Sequence, residues 1–481
     1  MKFMRIKNFL LLAIFILSLS TNLFSQGYKI KAIVKGIKSD TCYLGHYYGQ
    51  YNYIDDTAVA NINGEMLFEG KEKLPGGMYF IVLPKSKYFE IVITTEQNFT
   101  IETDTSNLVK NMKVKGNVED KRFYEYLNYA VLREKALEPI RKRYTLNKDN
   151  KDSAAIIRKE MDKIDQEVKE FKLTYAKNNP NDLMAKVFLG SKDPEIPEVP
   201  ILPNGRKDST FSYIYYKNHF WDNIDFNDDR LLRTPIIANK IKTFFENVVV
   251  QIPDSIIKEG DKLVEKTKGN KEFFKYVVWY LTYTYETSKI MGFDAVFVHE
   301  VNAYYKTGQA WWVSKTTLDN IIKRSNKIEP NLMGKVAPNM IMQDTNLNLQ
   351  SLHAIKAKYT LILFWDYNCG HCKTEMPKIK EMYDKLKKEI GFEIFGVCTD
   401  TSMAEMKKFI HINKMNWINV NGPRTLTGSY ADQYDIYSTP VLFLLDEKKV
   451  IIAKRISYDQ IEDCIKTEEK IKLYNSNQKP K

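Results

Sequence analysis

A chain of 481 residues is too long for one ordinary hydrophobic core, and 44% apolar with 27% charged residues reads as a soluble, globular protein of roughly two to four domains. The formal charge of +12 comes from 72 basic residues against 60 acidic ones that alternate along stretches such as KRFYEYLNYAVLREKALEPIRKR, so it describes a solvated surface; no basic and aromatic pattern marks a nucleic-acid module. Five cysteines are too few for a disulfide scaffold.

The first 25 residues carry Lys2, Arg5 and Lys7, then an apolar run from Phe9 to Leu19 that Ser20, Thr21 and Asn22 end. The run is shorter than the roughly 18–20 apolar residues of a spanning helix, so residues 1–25 are expected to be a cleaved secretory signal. From 26 to 116, short segments such as YKIKAIVKG, GMYFIVLP and NFTIETD alternate apolar and polar residues between Gly, Asn, Asp and Pro breaks, which predicts an antiparallel, sandwich-like β domain.

Between 117 and 330 the period changes. Ile157, Met161, Ile164, Val168 and Phe171 recur at steps of four and three, as on one face of a helix, and prolines near 193–204 break the helical region with a connector. His219 and His299 have no metal-ligand spacing with other residues and are read as structural, and the aromatic run FFKYVVWYLTYTYE as core. From 331 to 481 strands and helices alternate and end in a hairpin and a helix, which predicts a three-layer α/β domain with a mixed sheet.

The chemistry is concentrated in DYNCGHCKTEMP, residues 366–377. The buried-strand pattern TLILFW precedes it, and Met376, Ile379, Tyr383, Leu386 and Ile390 follow at helical spacing. Cys369 is therefore expected at a helix N-terminus, where free amides and the helix dipole stabilise a thiolate, with Cys372 one turn inside. A three-residue step lets two sulfurs form and break a disulfide without refolding, so one thiol can attack a substrate disulfide and the other resolve the intermediate. Lys373 occupies the position where covalent haem attachment needs histidine, and no second cysteine or histidine pair completes a zinc site; no metal and no dissociable cofactor is expected. Cys42, Cys398 and Cys464 are singletons expected as small buried apolar residues, with a Cys398–Cys464 bridge left open.

Phe364 and Trp365 in LFWDYNCGHC, Glu375 and Pro377 in CKTEMP, and Thr439–Pro440 in YSTPVLFLLD resemble the thioredoxin-like superfamily, particularly its extracytoplasmic TlpA/ResA-like branch, over residues 333–475. The resemblance implies a thioredoxin fold, Cys369 as the exposed attacking thiol, Cys372 as the buried resolving thiol, and a cis proline at Pro440 facing them. With Thr439 and Trp365, that proline would bind substrate. It also gives Glu375 a role in tuning the thiols or relaying a proton. A protonated His371 between the cysteines would stabilise the reduced thiolate. Asn368 departs from the tryptophan often found before the first cysteine, and Leu363 from the buried aspartate of thioredoxin itself. The upstream segments resemble two uncharacterised domain families that precede such domains in exported bacterial proteins.

The implied activity is that of a periplasmic thiol–disulfide oxidoreductase, a reductase or isomerase acting on exported protein thiols or disulfides; a reductase would need a membrane electron donor. The competing reading is an envelope binding or assembly protein in which the cysteine pair is a static disulfide.

Overall fold

The computed structural model describes residues 27–477, so the expected signal segment lies outside the described residues. Two compact units emerge: residues 27–249 with Thr267–Phe273, and Val250–Lys266 with 274–477. The first begins with eight strands, β1 (Tyr28–Lys35), β2 (Thr41–Tyr48), β3 (Tyr51–Val59), β4 (Glu65–Gly70), β5 (Gly77–Val82), β6 (Tyr88–Ile93), β7 (Asn98–Asp104) and β8 (Lys113–Lys115). They make two four-stranded sheets, ordered β4-β1-β7-β8 and β3-β2-β5-β6. Alternate residues point into one core: Ile30, Ala32 and Val34 of β1 and Phe99 and Ile101 of β7 join Cys42 and Leu44 of β2 and Phe89, Ile91 and Ile93 of β6. One pairing departs from the antiparallel expectation, because β1 runs parallel to β7.

Two long helices follow, Val118–Asn147 and Lys151–Asn178. Each starts at an asparagine whose side-chain oxygen accepts an otherwise orphaned amide, Asn117 from Asp120 at 2.9 Å and Asn150 from Ser153 at 3.0 Å. Arg143 pairs with Glu160 at 2.6 Å, Arg133 with Glu167 at 2.9 Å, and Tyr129 stacks on Phe171 at 4.4 Å. Partner numbers rise as their counterparts fall, so the helices are antiparallel. Of the apolar stripe expected on the second helix only Ile157 is buried; Met161, Ile164, Val168 and Phe171 are half-buried. Residues 193–200 contain no helix, as the prolines require. Beyond them Phe220, Trp221 and Phe244 pack ring to ring at 4.9–5.0 Å and form core.

The second unit holds the helix Pro253–Thr267 as far as Lys266, the helices Asp294–Glu300 and Lys315–Ile328, and a seven-stranded mixed sheet. Its strands are β9 (Ile341–Asp344), β10 (Leu349–Ser351), β11 (Tyr359–Trp365), β12 (Phe392–Cys398), β13 (Ile418–Thr425), β14 (Val441–Leu445) and β15 (Ile451–Lys454), in the order β10-β9-β13-β12-β11-β14-β15. Strand β11 is buried at every residue, as a central strand covered on both faces must be. Leu361, Leu363 and Trp365 face the Gly370–Ile390 helix with Ile379 and Tyr383; Ile362 and Phe364 face the opposite layer with Tyr434 and Phe443. That helix stops at Gly391, whose φ of +69° is the left-handed conformation a side chain resists. No helix among the described residues is long and apolar enough to cross a membrane.

Candidate functional site

Strand β11 is parallel to β12 and antiparallel to β14, so the sheet changes direction at β11. Sites in open α/β sheets form beyond the carboxyl ends of the strands, and the cysteine pair follows the carboxyl end of β11. Trp365 ends β11; the chain turns through Asp366–Asn368, and Cys369 caps the Gly370–Ile390 helix with extended backbone, φ −69° and ψ 123°. The Cys369 Sγ accepts the Cys372 amide at 3.4 Å, one of the free donors of the first turn. From the other side, the thiol donates to the Thr439 carbonyl at 3.2 Å. The register Phe364↔Val441 brings the start of β14 level with the end of β11, and the peptide bond between Thr439 and Pro440, directly before β14, is cis.

The two thiols are electrostatically unlike. Burial works to raise both. At Cys369 it is outweighed by hydrogen bonds from the Thr439 side chain and from the Cys372 and His371 amides, so this thiol titrates below its ordinary value. Cys372 has no exposed surface, and burial pushes it up to about 12. All five cysteines are free thiols. Cys398, at the end of β12 in register with Trp365, is likewise buried and pushed up to about 12, chiefly by loss of water. It is not bridged to Cys464 on the Ile461–Asn477 helix.

The expected site residues do not all meet. His371 is exposed on the first turn and Glu375 half-buried on the next, while the Thr439 carbonyl, directly before Pro440, meets the Cys369 thiol. Trp365 corrects the expectation of a substrate contact. It has no exposed surface, and it stacks on Phe409 at 5.1 Å inside the core, because the odd positions of β11 face the covering helices.

Sequence reasoning missed Asp400. Its carboxylate accepts Asn368 Nδ2 at 3.0 Å, and bonds from the Tyr367 hydroxyl and the Thr401 amide hold it below the usual carboxylate range. Asp400 thereby ties down the turn that carries Cys369. Missed too was Tyr437, 71% exposed three residues before Pro440, with the guanidinium of Arg455 at 5.1 Å and of Arg324 at 5.7 Å from its ring. Buried Asp435 holds both arginines, at 2.9 and 2.5 Å. No local spacing signals this group, because Arg324 and Asp435 are 111 residues apart.

Residues 333–454 match the AhpC/TSA family, residues 150–331 a domain of unknown function, DUF5106, and residues 28–123 another, DUF4369. Strand order, the cysteine pair opening a helix and the proline before β14 agree with the first of these: the C-terminal segment is a thioredoxin-like domain of the AhpC/TSA family. Thiol-disulfide oxidoreductase ResA of Bacillus subtilis (strain 168) is 34% identical over 121 residues, 24% of this chain and 64% of that protein. A ResA of Bacillus cereus is 28% identical over 125 residues, 26% of this chain and 69% of its own. The chain thus spans just under two thirds of the Bacillus subtilis relative's length. A solved domain from Cytophaga hutchinsonii, described as that of a possible thiol-disulfide isomerase, is 39% identical with a TM-score of 0.28, covering 30% of this chain and 97% of that domain. The homologues of this domain are ResA/TlpA-like thiol–disulfide oxidoreductases, and the two uncharacterised domains precede it.

Proposed function

We propose that this chain is an extracytoplasmic thiol–disulfide oxidoreductase, exported through residues 1–25, in which Cys369 and Cys372 are the redox pair. The observation that carries the reading is the asymmetry of the two sulfurs. Cys369 caps a helix and is held below its ordinary titration, whereas Cys372 is sealed from water and pushed up to about 12. A reactive thiolate and a protected resolving thiol are what a two-step exchange requires.

In the reducing direction the Cys369 thiolate attacks one sulfur of a substrate disulfide. The substrate S–S bond breaks, a mixed disulfide forms, and one substrate thiolate leaves and takes up a proton. Cys372 then loses its proton and attacks Cys369 Sγ. The mixed disulfide breaks, the second substrate thiol leaves, and the substrate has gained the two electrons that the cysteine pair has lost. Glu375, one turn beyond Cys372, is the group we assign to exchange that proton, and His371 the cation that favours the reduced thiolate. Thr439, whose carbonyl meets Cys369, and Pro440 after it would align substrate backbone. Exported protein disulfides are the substrate class, with reduction or isomerisation as the direction; a reductase needs a reductant at the membrane to return two electrons. Residues 26–116, 117–330 and 331–481 are the proposed domains, the last being catalytic.

Trapping tests the proposal. The Cys372→Ser variant, exposed to a disulfide-bonded protein substrate, should accumulate a mixed disulfide through Cys369 that dithiothreitol releases. No adduct under conditions where Cys369 alkylates freely would leave the pair without an exchange role and favour a static envelope protein.

A further inference from the structure

An ionised carboxylate removed from water is costly unless hydrogen bonds or a cation compensate it. The other buried acids among the described residues each have at least one such partner, although Asp120 leaves its Oδ2 unpaired. Asp120 accepts the Val92 amide at 2.9 Å, Glu119 the Thr94 hydroxyl at 2.8 Å, Asp435 two arginines, and Glu259 pairs with Lys262 at 3.0 Å. Glu300 is the exception. It has no exposed surface, and neither carboxylate oxygen has a hydrogen-bond partner.

Its surroundings sharpen the anomaly. Glu300 ends the helix Asp294–Glu300, and the next turn, Val301–Tyr305, is a π-helix, a wider turn often found where a side chain must be aimed at a site. Facing it on the helix Pro253–Thr267 is Asp261, whose Oδ1 accepts His299 Nε2 at 2.9 Å and the Tyr304 hydroxyl at 3.1 Å. Gly260, beside Asp261 on that helix, places its backbone within ordinary contact distance of Glu300 Oε1, 3.7 Å from where a Cβ would lie. One ligand atom from each of Asp261, His299 and Glu300 lies within 4.8 Å of the other two. Ligands bound at about 2.0–2.4 Å are no more than about 4–4.8 Å apart, so a single ion can reach all three. Asp261 and His299 are 44% and 31% exposed at their side chains, so two of the three ligands are open to solvent.

We propose that Asp261, His299 and Glu300 form a binding site for one divalent transition-metal ion of the zinc or manganese type, tying the helix Pro253–Thr267 to the helix Asp294–Glu300. One imidazole with two carboxylates suits such ions, whereas a set for calcium or magnesium would be all oxygen. On binding, Glu300 is ionised and His299 presents the Nε2 lone pair to the metal with its proton on Nδ1. The ion supplies the positive charge that two facing carboxylates lack. Three protein ligands leave a fourth position for water. The site is independent of the cysteine chemistry. It also revises the reading of His299 as structural, because its partner Asp261 lies 38 residues away in sequence.

The test uses the full chain with Cys369 and Cys372 both replaced by Ser, so that the redox thiols cannot bind metal. Chelator-treated protein is dialysed against Zn²⁺ or Co²⁺ and its metal content measured. The proposal expects one ion per chain, a Co²⁺ spectrum without thiolate charge-transfer bands, and a higher Tm with Zn²⁺ than without. Glu300→Gln and Asp261→Asn should each weaken binding at least about tenfold. Asp261 is partly exposed, so its variant keeps the test decisive should Glu300→Gln fail to fold. No stoichiometric uptake, a thiolate spectrum, or binding unchanged by Asp261→Asn would overturn the site.

Discussion

The asymmetry of the cysteine pair makes a quantitative prediction about alkylation. A thiol titrating at the ordinary 9.0 is about 1% thiolate at pH 7, and Cys369 lies below that value. A thiol at about 12, as for Cys372, is about 0.001% thiolate. Only the thiolate reacts, which favours Cys369 by at least about a thousandfold in population; the weaker nucleophilicity of a lower-pKa thiolate takes back about thirtyfold, so Cys369 should alkylate at least about thirtyfold faster than Cys372, and burial of Cys372 widens the gap. The assay is iodoacetamide labelling between pH 5 and 10, read peptide by peptide by mass spectrometry. Cys398, also pushed up to about 12, is an internal control that should label as slowly as Cys372. Rates for Cys369 and Cys372 within tenfold of each other at pH 7, or half-maximal labelling of Cys369 above pH 9, would refute the argument.

Three further outcomes follow from the same physics. The role proposed for His371 predicts that His371→Ala raises the titration point of Cys369 and lowers the reduction potential of the pair; thiol titration and redox equilibration measure both. Asp400→Ala frees the Tyr367 and Asn368 side chains, so amide exchange over residues 366–369 should accelerate and stability fall by about 1 kcal/mol. Asp120, wholly buried, has its carboxyl pushed up to about 8 by loss of water. A carboxyl raised on folding binds its proton more tightly in the native state, so between about pH 4 and pH 8 stability falls as pH rises, by up to about 1.4 kcal/mol per unit. Asp120→Asn should flatten that slope in urea titrations; an unchanged slope would mean that other groups set it.

How far the letters carried the fold depended on whether the cause was local. Strand β11 announced itself as TLILFW, and the helix after it through the spacing of Met376, Ile379 and Tyr383, because burial period is written in neighbouring residues. The parallel pairing of β1 with β7 was not visible, since strand partners are chosen by packing across some 70 residues. The cysteine pair was legible for the same local reason. Trp365 was misassigned because strand parity, not proximity to Cys369, decides which way it points. Asp400, the Asp435 arginine clamp and the Asp261–His299–Glu300 cluster escaped detection, as each assembles from segments that only the fold brings together.

The central claim is that Cys369 and Cys372 interconvert as one two-electron couple. Equilibrating the protein in glutathione or dithiothreitol buffers of graded potential, with Cys372→Ser as the non-cycling control, tests it most directly. The account predicts a single reversible transition with a two-electron slope, absent in the control; a pair that stays oxidised in excess dithiothreitol, or never oxidises, would contradict it.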